Sequence, residues 1–197
     1  MTSGTPTYHE LFNRLYSFLP LLVSWMNKML DSHEKSAVPL DDFNYKKIKI
    51  VFPSPLRNQT KIIVVSDQIP MPPLEKIGLK ELMTLDQKNA IGITYKNRMF
   101  LLEESCNEIN CFHEMIHVVQ WQRLGVEKFL LAYGLHLALH GYQGNPFERT
   151  AYDFQHRLES NALPMNFLET VKTQADSAWA QINPLNYLAD LPDPSSK

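Results

Sequence analysis

Residues 111–121, Cys-Phe-His-Glu-Met-Ile-His-Val-Val-Gln-Trp, constrain this chain more than any other stretch. They contain His113-Glu114-x-x-His117. On a helix, positions i and i+4 share a face, with Cβ atoms about 5–6 Å apart. Two imidazoles so placed can reach one zinc ion, each at about 2.0–2.1 Å. Glu114, beside the first histidine, borders the same face and can serve as a general base without being a ligand. The flanking Phe112, Met115, Ile116, Val118, Val119 and Trp121 are apolar on nearly all sides, so this helix is expected to be buried. Two histidines and a glutamate inside a buried helix are unfavourable unless paired or metal-bound. Motif and flanks together favour metal-assisted hydrolysis over a pair of hydrogen-bonded core histidines.

A chain of 197 residues with 44% hydrophobic content can build one sizeable core, so a single domain spanning 1–197 is expected. Within it, 1–44 reads as an N-terminal helical segment, 45–104 as sheet-rich, 105–189 as helical and 190–197 as a frayed tail. A net charge of −2 gives no sign of a nucleic-acid partner. Lys46, Lys47 and Lys49 are the only basic cluster and read as the solvated face of a strand. Cys106 and Cys111, five apart, point in different directions on the motif helix and read as reduced, packed thiols. Residues 15–26 (LYSFLPLLVSWM) are too short to span a bilayer and make a poor signal peptide. They read as an amphipathic packing helix, with peripheral membrane contact as the alternative. The expected location is cytoplasmic, or delivery without a recognisable signal peptide.

In chain order, the periodicity predicts a helix from about residue 6 or 7 to 31, bent at Pro20, and a polar loop over 32–44. Residues 45–52 (YKKIKIVF) alternate and read as a strand, as do 61–65 (KIIVV). Three prolines make 68–73 an extended connector, and 74–85 reads as a short helix. Residues 90–95 and 98–102 read as a hairpin joined by Lys96-Asn97. Ser105 and Glu108 form a capping box for the motif helix, placed at about 106–124 with Gly125 as its stop. A helix over 126–140 ends at Gly141. Asn145 and Pro146 start another, to about 159, and a last helix covers about 164–181. The hairpin's strands, 90–95 or 98–102, are positioned to hold an extended peptide by β-augmentation.

A catalytic zinc usually has three protein ligands and one open position. The pattern H-E-x-x-H-x-x-G-x-x-H needs glycine at 120 and histidine at 123; the chain has Gln120 and Arg123. A glutamate from a later helix is the other common solution. Glu148 fits, one intervening helix after His117, with the small Ala151 three residues on. Asn145-x-x-Glu148 is equally a capping box, in which Glu148 only caps its helix. His136, His140 and Asp153 come with no supporting pattern.

Three segments give the chain a resemblance to the gluzincin group of zinc metallopeptidases: residues 90–100 (AIGITYKNRMF), 113–120 (HEMIHVVQ) and 145–152 (NPFERTAY). The His-Val-Val-Gln ending resembles small bacterial metallopeptidase-like domains of effector and contractile-injection cargo proteins. The likeness covers about 88–158. It implies His113, His117 and Glu148 as zinc ligands and Glu114 as general base. Thermolysin-like members carry an aspartate four residues after the ligand glutamate, in support of the first histidine. Here that position is Tyr152, with Asp153 one further as the candidate support. Tyr142, His140 and Tyr133 are the candidates for stabilising the transition state. The expectation is an α+β, zincin-like fold: a small antiparallel or mixed sheet packed on the buried motif helix, with a helical C-terminal half. It would carry one catalytic zinc and act on a peptide or protein substrate. The rivals are a catalytically silent zincin-like binding module, and an effector component using the same fold. The sequence carries no signal of oligomeric state.

Overall fold

The computed structural model describes residues 8–75 and 90–182. The proposed helix over 74–85 falls almost wholly outside these residues, as do the tail and the first seven positions. The fold is α+β, with a small mixed four-stranded sheet and a helical C-terminal half.

Helix α1 (Tyr8–His33) buries Phe12, Leu15, Leu19, Leu22, Met26 and Met29. Their alternating spacing of three and four is one apolar stripe. Strand β1 (Val38–Pro39) then pairs antiparallel with β2 (Lys61–Val65), so the predicted loop over 32–44 contains a short strand. Between them lie α2 (Lys46–Val51) and α3 (Ser54–Asn58).

Helix α2 corrects the strand expected over 45–52. A strand would put Ile48, Ile50 and Phe52 on one face. Instead Ile48 and Phe52, four apart, are each 1% exposed and Ile50 is 82% exposed. The Glu108 carboxylate accepts from the Ile48 amide at 3.1 Å, satisfying one of the orphan donors of the first turn. Glu108 therefore does not close a capping box with Ser105. Asn107 starts the motif helix, its side-chain oxygen accepting from Ile109 and Asn110 amides at 3.0 Å each.

Strand β3 (Gly92–Tyr95) and β4 (Arg98–Leu102) form the predicted hairpin, with Lys96 at φ 58° in its turn. The sheet order is β1-β2-β4-β3, with β2 and β4 parallel. Strand β4 is covered on both faces. Phe100 and Ile63 pack with α1, while Met99, Leu101 and Ile62 pack with Phe112, Met115 and Ile116 of the motif helix.

The helical half is α4 (Glu108–Gly144), α5 (Pro146–Glu159) and α6 (Phe167–Gln181). Helix α4 is broken twice, at Gly125 (φ 74°) and Gly141 (φ 68°), which are the two predicted stops. Left-handed φ is open to glycine without Cβ strain, so one residue suffices to redirect the chain at each break. The segment 108–124 is the motif helix, and 126–140 is a second segment. Asn145 then caps α5 by accepting from the Phe147 amide, with Pro146 in the first turn. Among the described residues, no helix is long and apolar enough to cross a membrane.

Candidate metal centre

The motif helix holds His113, Glu114 and His117 buried between β3, the second segment of α4, and α5. Helix α5 brings Glu148 over them, itself 3% exposed. His113 Nε2 and His117 Nε2 are 3.2 Å apart. Glu148 presents one oxygen to each: Oε2 lies 3.4 Å from His113 Nε2 and Oε1 3.3 Å from His117 Nε2. A tetrahedral ion with bonds of about 2.0–2.1 Å separates its ligand atoms by about 3.3–3.4 Å. Each of these separations is near that value, a different Glu148 oxygen facing each imidazole, and one donor atom from each residue lies within 4.8 Å of the other two. Glu148 Oε2 is buried without a hydrogen-bond partner, and coordination of a cation between the three side chains would satisfy its lone pair. The triad could hold a metal ion. Among the described residues it is the only group of three or more His, Cys, Asp and Glu side chains whose donor atoms converge in this way.

Glu148 does not act as the reciprocal cap that its spacing from Asn145 allowed. The Asn145 amide donates to Tyr142 O at 3.2 Å, and the Glu148 carboxylate faces the histidines.

The tautomers follow from what lies behind the rings. His117 Nδ1 sits 2.8 Å from Gln120 Oε1, and His113 Nδ1 3.2 Å from Gln155 Oε1. An amide oxygen only accepts, so an oxygen facing Nδ1 calls for the proton there and leaves Nε2 of the neutral ring to turn a lone pair inward. Asp153, expected to support His113, instead pairs with Arg157 at 2.9 Å on the exposed side of α5. Gln155 takes that place because it lies one helical turn on from Ala151, on the buried side. Neither glutamine was legible as a support, since an amide carries no metal or catalytic signature in sequence.

The buried carboxylate and imidazoles also shift one another's proton affinity. Burial alone would lower the His117 pKa, but the Glu148 carboxylate, aided by Glu114 and Gln120, outweighs it and raises the value to about 9. Burial likewise works to raise Glu148, yet His117 and His113 hold it well below the usual carboxylate range.

Glu114 is not one of the converging ligands. Thr94 Oγ1 donates to its Oε2 at 2.6 Å, and burial pushes its carboxyl up, against the pull of His117, His113 and Thr94. Its other oxygen lies against Gly92, where a Cβ would stand 2.6 Å from Glu114 Oε1. The close approach of helix and strand requires that glycine. A cavity of about 600 Å3 opens over Glu114 and the triad, lined also by Trp121 and Leu137.

Of the predicted stabilising residues, Tyr133 and Tyr142 line this cavity. Tyr133 donates to Glu148 Oε1 at 2.7 Å. Tyr142 Oη lies 3.4 Å from Tyr152 Oη, and the Tyr152 ring stands edge-on to His113 at 4.5 Å between centroids. Burial, with the Glu148 charge, raises both Tyr133 and Tyr142, so both keep their protons as donors. His140 is exposed, stacks on His136 and does not line the cavity, which removes it from that role. Its helical register, four residues from His136, turns it outward. Comparison with known protein families, curated proteins and solved structures found no match to this chain, so its function is read from this geometry.

Proposed function

We propose that this chain is a zinc-dependent metallopeptidase with a zincin-like fold, as its resemblance to the gluzincins suggests. The observation that carries the reading is the convergence of His113 Nε2, His117 Nε2 and the Glu148 carboxylate, the two nitrogens 3.2 Å apart and a different Glu148 oxygen 3.3–3.4 Å from each, with the Glu114 carboxylate held beside them by Thr94. Two imidazoles and a carboxylate form a set suited to zinc with a position left open. When bound there, zinc supplies Lewis acidity toward a substrate carbonyl. Glu114 takes the proton from the attacking water and returns it to the leaving amine. Its raised pKa suits a group that must both accept and release a proton. Tyr142, protonated and lining the cavity, is the donor assigned to the developing oxyanion.

The sheet topology narrows where a peptide can lie. Strand β4 sits between β2 and β3, so it has no edge to offer. Among the described residues, β3 has a free side. The Leu102 amide donates to Ile91 O, so by the antiparallel alternation Gly92 and Thr94 turn their main-chain groups away from β4. Thr94 O is taken by Trp121 Nε1 at 3.1 Å. Among the described residues, Gly92, against Glu114, is the position left to pair with substrate backbone by both its groups.

The test is Glu114→Gln. Zinc content should stay near that of the wild type, while hydrolysis of a diverse peptide library falls by at least about 10². Equal cleavage by the two zinc-loaded proteins would sink the proposal.

A further inference from the structure

Gln120 is 1% exposed and does more than face His117. Its Oε1 accepts from His117 Nδ1 at 2.8 Å, and its Nε2 donates to Phe147 O at 3.1 Å. Phe147 directly precedes Glu148. The second bond fixes which way the amide points: a flipped amide would set oxygen against the Phe147 carbonyl oxygen and an N–H against the protonated Nδ1. Gln155, behind His113, is only half-buried and has no second bond of this kind among those the structure shows.

We propose that Gln120 is a positioning residue that couples two of the three ligands. One end holds His117 in the tautomer that turns the Nε2 lone pair inward. The other ties the motif helix to the backbone that carries Glu148. The coupling explains how two ligands on separate helices keep a separation of 3.3 Å. It also explains why a buried polar side chain sits one turn past the motif. There an aliphatic residue would strand the His117 Nδ1–H without an acceptor. The proposal rests on the metal-site reading above.

The test compares wild type, Gln120→Met and Gln120→Glu. The first readout is the imidazole nitrogen shifts of His117 in metal-free protein, taken on the alkaline plateau where those shifts no longer change with pH. Wild type should show the Nδ1–H tautomer. Gln120→Met should lose it, and Gln120→Glu, which keeps an acceptor oxygen, should restore it. The second readout is zinc affinity by competition with a chromophoric chelator, expected to fall about 10–100-fold in Gln120→Met. Wild-type His117 in the Nε2–H tautomer overturns the proposal whether or not any variant folds, as does wild-type zinc affinity in Gln120→Met. If wild type binds no zinc, the metallopeptidase reading falls, while the tautomer comparison still decides the role of Gln120.

Discussion

His113 and His117 stand four residues apart on one segment of α4; His136 and His140 stand four apart on the next. In the first pair both rings are buried and their Nε2 atoms meet at 3.2 Å. In the second, His136 is buried, His140 is exposed, and the rings stack with centroids 5.5 Å apart. The difference lies in what faces Nε2. Over the first pair α5 delivers a carboxylate. Over the second α6 delivers the Ala178 carbonyl, which accepts from His136 Nε2–H at 2.9 Å. That bond consumes the nitrogen a metal would use and leaves Nδ1 buried without a partner. Helical spacing brings two imidazoles together; the third element decides whether they become a site or a strut.

The largest expected effect separates the two pairs by metal content. His117→Ala and Glu148→Ala should each drop zinc from about one per chain to near zero, because three protein ligands are the minimum for a catalytic site. His136→Ala and His140→Ala should leave it unchanged in elemental analysis. Loss of zinc from His136→Ala that still folds would break the comparison.

Gly92→Ala sharpens it from the substrate side. Its Cβ would meet Glu114 Oε1 at 2.6 Å, so the carboxylate must move. Peptide hydrolysis should fall by about 10–10² with zinc retained, the usual penalty for misplacing a reacting group by about an ångström. Tyr133→Phe is a milder probe. It removes the donor 2.7 Å from Glu148 Oε1 and should weaken zinc binding by about tenfold in a chelator competition. Among the described residues no carboxylate faces His136 for such a donor to support, so the effect should belong to the first pair alone.

The smallest effect concerns the second pair. Burial lowers the His136 pKa, the Ala178 hydrogen bond opposing it only in part. The unfolded chain, with a histidine pKa of about 6.5, then binds more protons than the folded one just below that pH. The contribution of His136 to stability is therefore complete above about pH 6.5 and is lost as pH falls toward the folded value. The gap in urea midpoint between wild type and His136→Gln should shift in that direction across this window.

Local chemistry made parts of this molecule legible in sequence. The hairpin turn at Lys96-Asn97, the breaks at Gly125 and Gly141, and the Asn145-Pro146 start of α5 each depend on residues adjacent in the chain. The convergence of Glu148 on the motif was legible only as one of two readings, since a capping box has the same spacing. The segment 45–52 was misread because alternation of lysine and isoleucine mimics a strand. What settles it as a helix is Ile48 and Phe52 packing at a four-residue interval and Glu108 capping from far along the chain. The two glutamines behind the histidines, and Thr94 against Glu114, depend on contacts across helices and strands that no local pattern announces.

The breaks at Gly125 and Gly141 bear on which changes of length the chain can tolerate. Connections between helices usually absorb insertions without harm. Here the path from His117 to Glu148 consists of helical segments jointed at single residues, with no slack between them. One residue added within 126–140 would turn everything beyond it by about 100° and advance it by about 1.5 Å. The Glu148 carboxylate would then face away from both imidazoles. Growth or shrinkage by even one position within 126–140 should therefore pull the triad apart, whereas the exposed turn after α5, around Asn161, lies beyond all three of its residues.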